Sequence, residues 1–272
     1  VDLTGKTDCK RLSEITTTLK ESFVVLDTIS LKVNPNLNIE INPITEGYDC
    51  VVVDNFLADP EKAVTYARQK ASEFSSASDY PGVIYPPEAL LMDEIYRFIR
   101  KKLNKPLSFF RGSVKFSTYF AMASLSPDEL TCLQRLCHTD PKLVKGRRNI
   151  AALLYLFDNP ALGGTGFYRW KETQAILDAT AIAQETPDKV LPFLQEKFET
   201  FRAPASYITQ SNEIAELLHA VPARFNRLIV YAGDIPHSAY IEEPDLLTTD
   251  VSTGRLTLNC FANVLATQPA DE

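Results

Sequence analysis

The chain has 272 residues, 45% of them hydrophobic, and its 28 basic against 35 acidic side chains give a formal net charge of −7. That apolar content suffices for one large core, and all-β barrels or sandwiches often run to this length as one domain. No basic tract breaks the acidic balance, with Lys101-Lys102 and Arg147-Arg148 standing as isolated pairs, which argues against a nucleic-acid partner because phosphate binding rests on clustered positive charge.

The longest apolar run, Ile150 to Phe157, is too short to span a bilayer, so no membrane partner is expected. The first residues, with Asp2, Lys6, Asp8 and Lys10 interspersed, do not have the form of a signal peptide. Five cysteines, an odd number with no C-x-x-C, argue against a disulfide framework and for a reducing, cytoplasmic setting. Cys137 beside His138 suggests zinc, but no second thiolate pair supports it, and buried thiols acting as small hydrophobes are the simpler reading.

Residues 1–47 are polar and mixed, and are expected to form an N-terminal extension with a short helix around Arg11–Lys20. Asp49 to Phe56 is the first clear core strand. Asp59-Pro60-Glu61 then starts a helix, with an N-cap aspartate and a first-turn proline, running through Ala63, Val64, Ala67 and Ala71. Tyr80-Pro81-Gly82 is a turn. Pro87 opens a second helix whose stripe of Leu90, Leu91, Ile95, Phe98, Ile99 and Leu103 packs on a sheet.

From Ser113 the texture changes to strands. Val114, Phe116, Thr118 and Phe120 alternate with more polar neighbours, and Asn149 to Phe157 reads as a central strand. After Asn159-Pro160 and Gly163-Gly164, Gly166 to Trp170 forms another short strand. Residues 171–220 read as a helical insertion or lid, with Ala175, Ile176, Ala179, Ile182 and Ala183 on one helix and Val190, Leu191, Leu194 and Phe198 on the next. Strands resume at Asn226–Tyr231, turn at Gly233-Asp234, and end with Arg255–Val264. Short strands with turn signals between them predict a mostly β fold, a jelly roll with flanking helices spanning residues 48–265, followed by a tail over 266–272.

His138 and Asp140 stand two positions apart, so on extended backbone their side chains converge on one face. His237, aimed by the turn Gly233-Asp234-Ile235-Pro236, supplies a second imidazole. Two nitrogens and one oxygen on one side of a metal, with the opposite positions open, suit non-haem Fe(II) better than a closed structural zinc. His219, in a helix-like stretch, is given a surface or packing role. Arg255 starts a strand on which Thr257, Asn259 and Phe261 share its face. Unpaired burial of its guanidinium would cost several kcal/mol, so it needs either an internal carboxylate or the carboxylate of a ligand, with the Thr257 hydroxyl alongside.

The order of these pieces resembles the Fe(II)/2-oxoglutarate-dependent dioxygenases, in the branch similar to prolyl 4-hydroxylases. The strand Val114–Tyr119 precedes His138-Thr139-Asp140; Ala152–Leu156 and Gly163–Phe167 follow; Arg227–Tyr231 leads to His237; and Arg255-Leu256-Thr257 closes the set. Val53–Leu57 is also similar to the start of such domains, and the resemblance covers roughly residues 48–265. It implies a double-stranded β-helix with iron ligands at His138, Asp140 and His237. It also implies that Arg255 and Thr257 bind the distal carboxylate of 2-oxoglutarate, with Tyr119 hydrogen-bonded to the same cosubstrate; Tyr119 reads equally well as a core aromatic.

The implied reaction consumes O2 and 2-oxoglutarate, releases succinate and CO2, and oxidises a substrate C–H bond. Asp140 fills the position that halogenating relatives leave open, which favours hydroxylation or another hydrogen-abstraction outcome. Two intervals depart from the family pattern: His138 and His237 are 99 residues apart, and His237 and Arg255 are 18 apart. The alternatives are a metal-free jelly-roll binding module and a cupin-type metal enzyme that needs no cosubstrate. A free amino acid, a peptide side chain and a small metabolite all stand as substrates. Arg169 and Trp170 are possible pocket-lining residues, and the sequence does not fix the oligomeric state.

Overall fold

The structure, a computed structural model, describes residues 29–77, 79–87, 90–109, 115–140 and 147–265. The expected helix at Arg11–Lys20, the C-terminal tail and Val114 lie outside them. In chain order the strands are β1 (Ile29–Ser30), β2 (Asn38–Thr45), β3 (Tyr48–Asp54), β4 (Ser75–Ser76), β5 (Gly82–Tyr85), β6 (Leu90–Leu91) and β7 (Lys115–Ala123). They continue as β8 (Arg147–Tyr155), β9 (Gly164–Trp170), β10 (Ala215–Val221), β11 (Arg227–Ala232), β12 (His237–Tyr240) and β13 (Arg255–Leu265). The helices are α1 (Glu61–Gln69), α2 (Asp93–Lys102), α3 (Thr173–Glu185) and α4 (Val190–Lys197).

An eight-stranded sheet runs β2-β3-β11-β8-β13-β7-β5-β4, and a three-stranded sheet runs β10-β9-β12. All pairings inside these two sheets are antiparallel. An antiparallel bridge from His138 to His237 extends the smaller sheet beyond β12. From β7 onward the chain crosses between sheets: β7, the His138 stretch, β8, then β9 and β10, then β11, β12 and β13. That winding is a double-stranded β-helix, and it closes a barrel-like interior between the sheets.

Strand alternation separates two cores. Cys50, Val52, Ala151, Tyr155, Ile229 and Tyr231 face inward and pack with Phe167 and Val221 of the smaller sheet. Val51, Val53, Ile150, Ala152, Leu154, Leu228 and Val230 face the other way and are covered by Ala63, Val64 and Ala67 of α1 and Ile95 and Ile99 of α2. Near-continuous apolar strands such as β8 follow from this, since both faces are buried.

Three local expectations are corrected. Asp59 does not cap α1; the cap is Pro60, without a side-chain hydrogen bond, and Asp59 instead pairs with Lys62 at 3.4 Å. The second helix begins at Asp93 rather than at Pro87, because Leu90 and Leu91 are taken up by pairing with β1. His219 lies on β10, opposite Phe167, where cross-strand pairing overrides the helix-like composition of its neighbours. The two helices expected within 171–220 are α3 and α4. They form a separate core with Leu136, Phe198, Phe201 and Ile214, against which Trp170 packs. Among the described residues no helix is long and apolar enough to cross a membrane.

Candidate metal and anion site

His138 and His237 are joined through their backbones, each amide donating to the other's carbonyl at 3.0 and 2.8 Å. The neighbouring elements fix this crossing. The Trp170 indole N–H donates to the Cys137 carbonyl at 3.1 Å, and the Asp140 amide donates to the Gly233 carbonyl at 2.7 Å. The i, i+2 convergence expected for His138 and Asp140 is thus realised without a formal strand, by borrowing hydrogen bonds from β12 and from the turn before it.

The three side chains meet. One ligating atom from each of His138, Asp140 and His237 lies within 4.8 Å of the others, and the His237 Nε2 to Asp140 Oδ1 distance is 3.8 Å. The imidazole centroids of His138 and His237 are 4.6 Å apart. His237 Nδ1–H donates to the Ile235 carbonyl at 2.9 Å, which leaves Nε2 free to act as a ligand. The ring of Tyr231 packs edge-on against it at 4.8 Å.

Asp140 is buried, and its Oδ2 has no hydrogen-bond partner. An unpaired buried carboxylate oxygen is costly, and a cation would satisfy it. Cis ligands of a metal with bonds of about 2.1 Å sit about 3 Å apart, so binding would draw the three atoms together by about 1 Å. Side-chain torsions supply such a movement. The mixed nitrogen and oxygen donor set fits a first-row divalent metal held on one face.

Protonation favours the same use. Burial, reinforced by the neighbouring His237, pulls the His138 pKa down to about 4, even though His138 keeps a solvent-exposed side. Burial takes His237 down to about 4 as well, while it raises Asp140 to about 6 against the pull of His138. At neutral pH the group therefore holds two neutral imidazoles and one carboxylate, the forms that bind metal.

Arg255 lies deeper in the same interior. It is 2% exposed, and its guanidinium donates to the carbonyls of Leu162 at 3.1 Å and Gly164 at 2.6 Å. The internal carboxylate that could have explained it is absent among the described residues. Aromatic faces of Tyr155 and Phe157 lie about 6 Å away. Thr257 is fully buried beside it and donates weakly to the Ala121 carbonyl at 3.3 Å.

A residue passed over as part of a turn also reaches this spot. The phenol of Tyr80 lies close to Thr257 and Arg255, and burial raises its pKa. Two residues on, Gly82 lets β5 lie close against β7: a side chain there would meet the Met122 carbonyl at 2.0 Å. A tyrosine followed by Pro-Gly was the only signal in the sequence, and it speaks of a turn rather than of a site. Tyr119 stacks on Phe261 and stands opposite Asn259 in the β13–β7 pairing, and burial raises the pKa of its phenol. Its charge surroundings include both Tyr80 and Asp140. Arg169 and Trp170 line a recess of about 280 Å³ with Tyr48, Asp234 and Pro236, next to the turn into His237.

Comparison with known proteins gives one family match. The model described as "Family of unknown function (DUF6445)" covers residues 35–262. No curated protein matches. Among solved structures, HygX from Streptomyces hygroscopicus with nickel, 2-oxoglutarate and hygromycin B bound is similar at a TM-score of 0.37 and 12% identity, covering 80% of this chain and 83% of that one. EvdO2 from Micromonospora carbonacea var. aurantiaca is similar at 0.37 and 9% identity, covering 83% and 90%.

Proposed function

The chain belongs to the DUF6445 family, and we propose that it is an Fe(II)- and 2-oxoglutarate-dependent dioxygenase, hydroxylating a C–H bond of a small molecule or peptide side chain with release of succinate and CO2. One observation carries the reading: a buried guanidinium, without a carboxylate among the described residues, shares one barrel interior with a two-histidine, one-carboxylate group of which Asp140 and His237 are buried. A metal enzyme without an anionic cosubstrate has no need of the first, and a metal-free binding module has no need of the second.

His138, Asp140 and His237 would hold the iron. Bound there, it supplies oxygen activation coupled to oxidative decarboxylation of the cosubstrate. Asp140 occupies a ligand position and so favours hydroxylation or desaturation over halide transfer. Arg255 takes the distal carboxylate, exchanging neutral carbonyl acceptors for a charged one in a bidentate fork. Thr257 and Tyr80 donate to the same group, and Tyr119 orients the cosubstrate between that pocket and the metal. The apolar walls of Tyr155, Phe167 and Tyr231 keep water from the interior.

The test is succinate formation by the purified chain with Fe(II), 2-oxoglutarate and air, run against a panel of amino acids, peptides and small acids. Turnover that rises with one class of addition is expected. No succinate and no oxygen uptake under any addition, from folded iron-supplied protein, would overturn the reading.

A further inference from the structure

We propose that Arg147 and Asn149, at the metal-proximal end of β8, form a second anion-binding site that grips an acidic group of the substrate. The inference rests on the oxygenase reading only in calling the bound molecule the substrate; the site itself is argued from its own residues. On β8, Ala151, Leu153 and Tyr155 face the interior core. Alternation places Arg147 and Asn149 on that same face, about 7 Å apart along the strand. Asn149 is next to the ligand group through the backbone: its carbonyl accepts from the Gly233 amide at 2.8 Å, and the Gly233 carbonyl accepts from Asp140.

Neither side chain is fully satisfied by the described residues. Asn149 is 5% exposed, and its Oδ1 has no partner. Half-buried Arg147 donates from Nη1 to the Asn263 carbonyl at 3.2 Å, and among the described residues no carboxylate pairs with it. The adjacent Arg148 shows the contrast, since it faces the other way and pairs with Asp234 at 3.1 Å. Nor can the linker to Asp140 neutralise Arg147, because Pro141 to Gly146 contains neither Asp nor Glu. In a chain with net charge −7, this half-buried guanidinium on the interior side of β8 has no acid partner among the described residues.

The chemistry of the pair defines the ligand. The guanidinium fork takes two oxygens of a carboxylate or phosphate. The orphaned Asn149 oxygen takes an N–H or O–H from the same molecule. The substrate is therefore an acidic small molecule carrying a nearby hydrogen-bond donor, such as an acylated amino acid or a hydroxy acid, rather than a neutral peptide side chain. Two cationic poles, Arg255 for the cosubstrate and Arg147 for the substrate, then lie at different levels of one interior, which keeps the two acids from exchanging places.

Calorimetric titration of the full chain, at constant ionic strength and with 2-oxoglutarate present, tests this with three probes: N-acetylglycine, orthophosphate and the neutral N-acetylglycinamide. The variants are Arg147→Gln and Arg147→Lys, with the thermal midpoint checked for each. The expected result is that wild type binds at least one anion about ten-fold or more tightly than Arg147→Gln, that Arg147→Lys falls between, and that the amide discriminates among none of them. Preference for N-acetylglycine marks a carboxylate site and preference for orthophosphate a phosphate site. Equal anion affinity in wild type and Arg147→Gln, no anion binding, or amide binding as tight as acid binding would overturn the proposal. Failure of the oxygenase reading shows separately, as absent succinate formation in wild type and variants alike.

Discussion

Gly233 lies so close to Asp140 that a methyl group on its Cα would stand 2.2 Å from the Asp140 Oδ2. The same glycine accepts the Asp140 amide through its carbonyl and donates its own amide to Asn149. The turn before β12 thus fixes the carboxylate from two sides, and only a residue without a Cβ leaves it room.

Gly233→Ala is accordingly expected to displace the carboxylate while the sheets stay paired. The affinity for Fe(II), or for Ni(II) as its redox-silent substitute, should fall about ten-fold or more, with the thermal midpoint lowered by only a few degrees. Metal titration of wild type and variant checks this. Unchanged metal affinity would mean that Asp140 is not a ligand.

A substitution at Arg255 is expected to separate cosubstrate binding from metal binding. Arg255→Gln removes the charge but keeps a donor, and 2-oxoglutarate affinity should fall by one to two orders of magnitude, roughly the worth of a buried charge-assisted fork. Metal affinity without cosubstrate should stay within about three-fold. Equal loss of both would make Arg255 a structural residue that braces Leu162 and Gly164.

Stability is expected to depend strongly on Asn226. Its Oδ1 accepts from the Leu57 amide at 2.8 Å, its Nδ2 donates to the Leu57 carbonyl at 2.9 Å, and its backbone is left-handed with φ 60°. Asn226→Ala loses both buried bonds and strains the turn into β11, for a cost of about 2–4 kcal/mol. Urea unfolding should show a lower midpoint with an unchanged slope. A loss below about 0.5 kcal/mol would mean that the turn re-forms without the side chain.

Asp54 gives a pH dependence away from the site. Its carboxylate is gripped by Arg227 at 2.6 and 2.9 Å and approached by Arg224 at 3.1 Å, and the Arg227 hydrogen bonds hold its pKa below the ordinary 3.8. A lowered folded-state pKa means that this pairing stabilises fully above pH 3.8 and is lost as pH falls through the folded value. Wild type should exceed Asp54→Asn by about 1 kcal/mol at pH 7, with the gap closing in acid. A gap that stays constant down to pH 3 would place the effect in packing rather than charge.

The sequence carried the strands and the grouping of the candidate site residues better than it carried the connections. Period-two patterning marked β7 and β13, and the apolar run marked β8, because burial on one or both faces dictates those patterns. The convergence of His138, Asp140 and His237 and the burial of Arg255 were legible because few residue types suit a metal or a buried anion. Tyr80 was hidden, since its contact with Arg255 depends on a strand outside the core winding, and no local pattern reports it. His219 was misread as helical because Glu-Leu-Leu-His favours helix locally, and pairing with β9 overrode that preference. The orphan oxygens of Asp140, Asn149 and Asn259 could not have been foreseen, for they are defined by the partners that three-dimensional neighbours fail to offer.

The most direct measurement is the visible absorption of the protein mixed anaerobically with Fe(II) and 2-oxoglutarate. A weak charge-transfer band should appear with wild type only when both are present, and should vanish in His138→Ala. A folded wild-type protein that takes up no iron and develops no band would contradict the account at its centre.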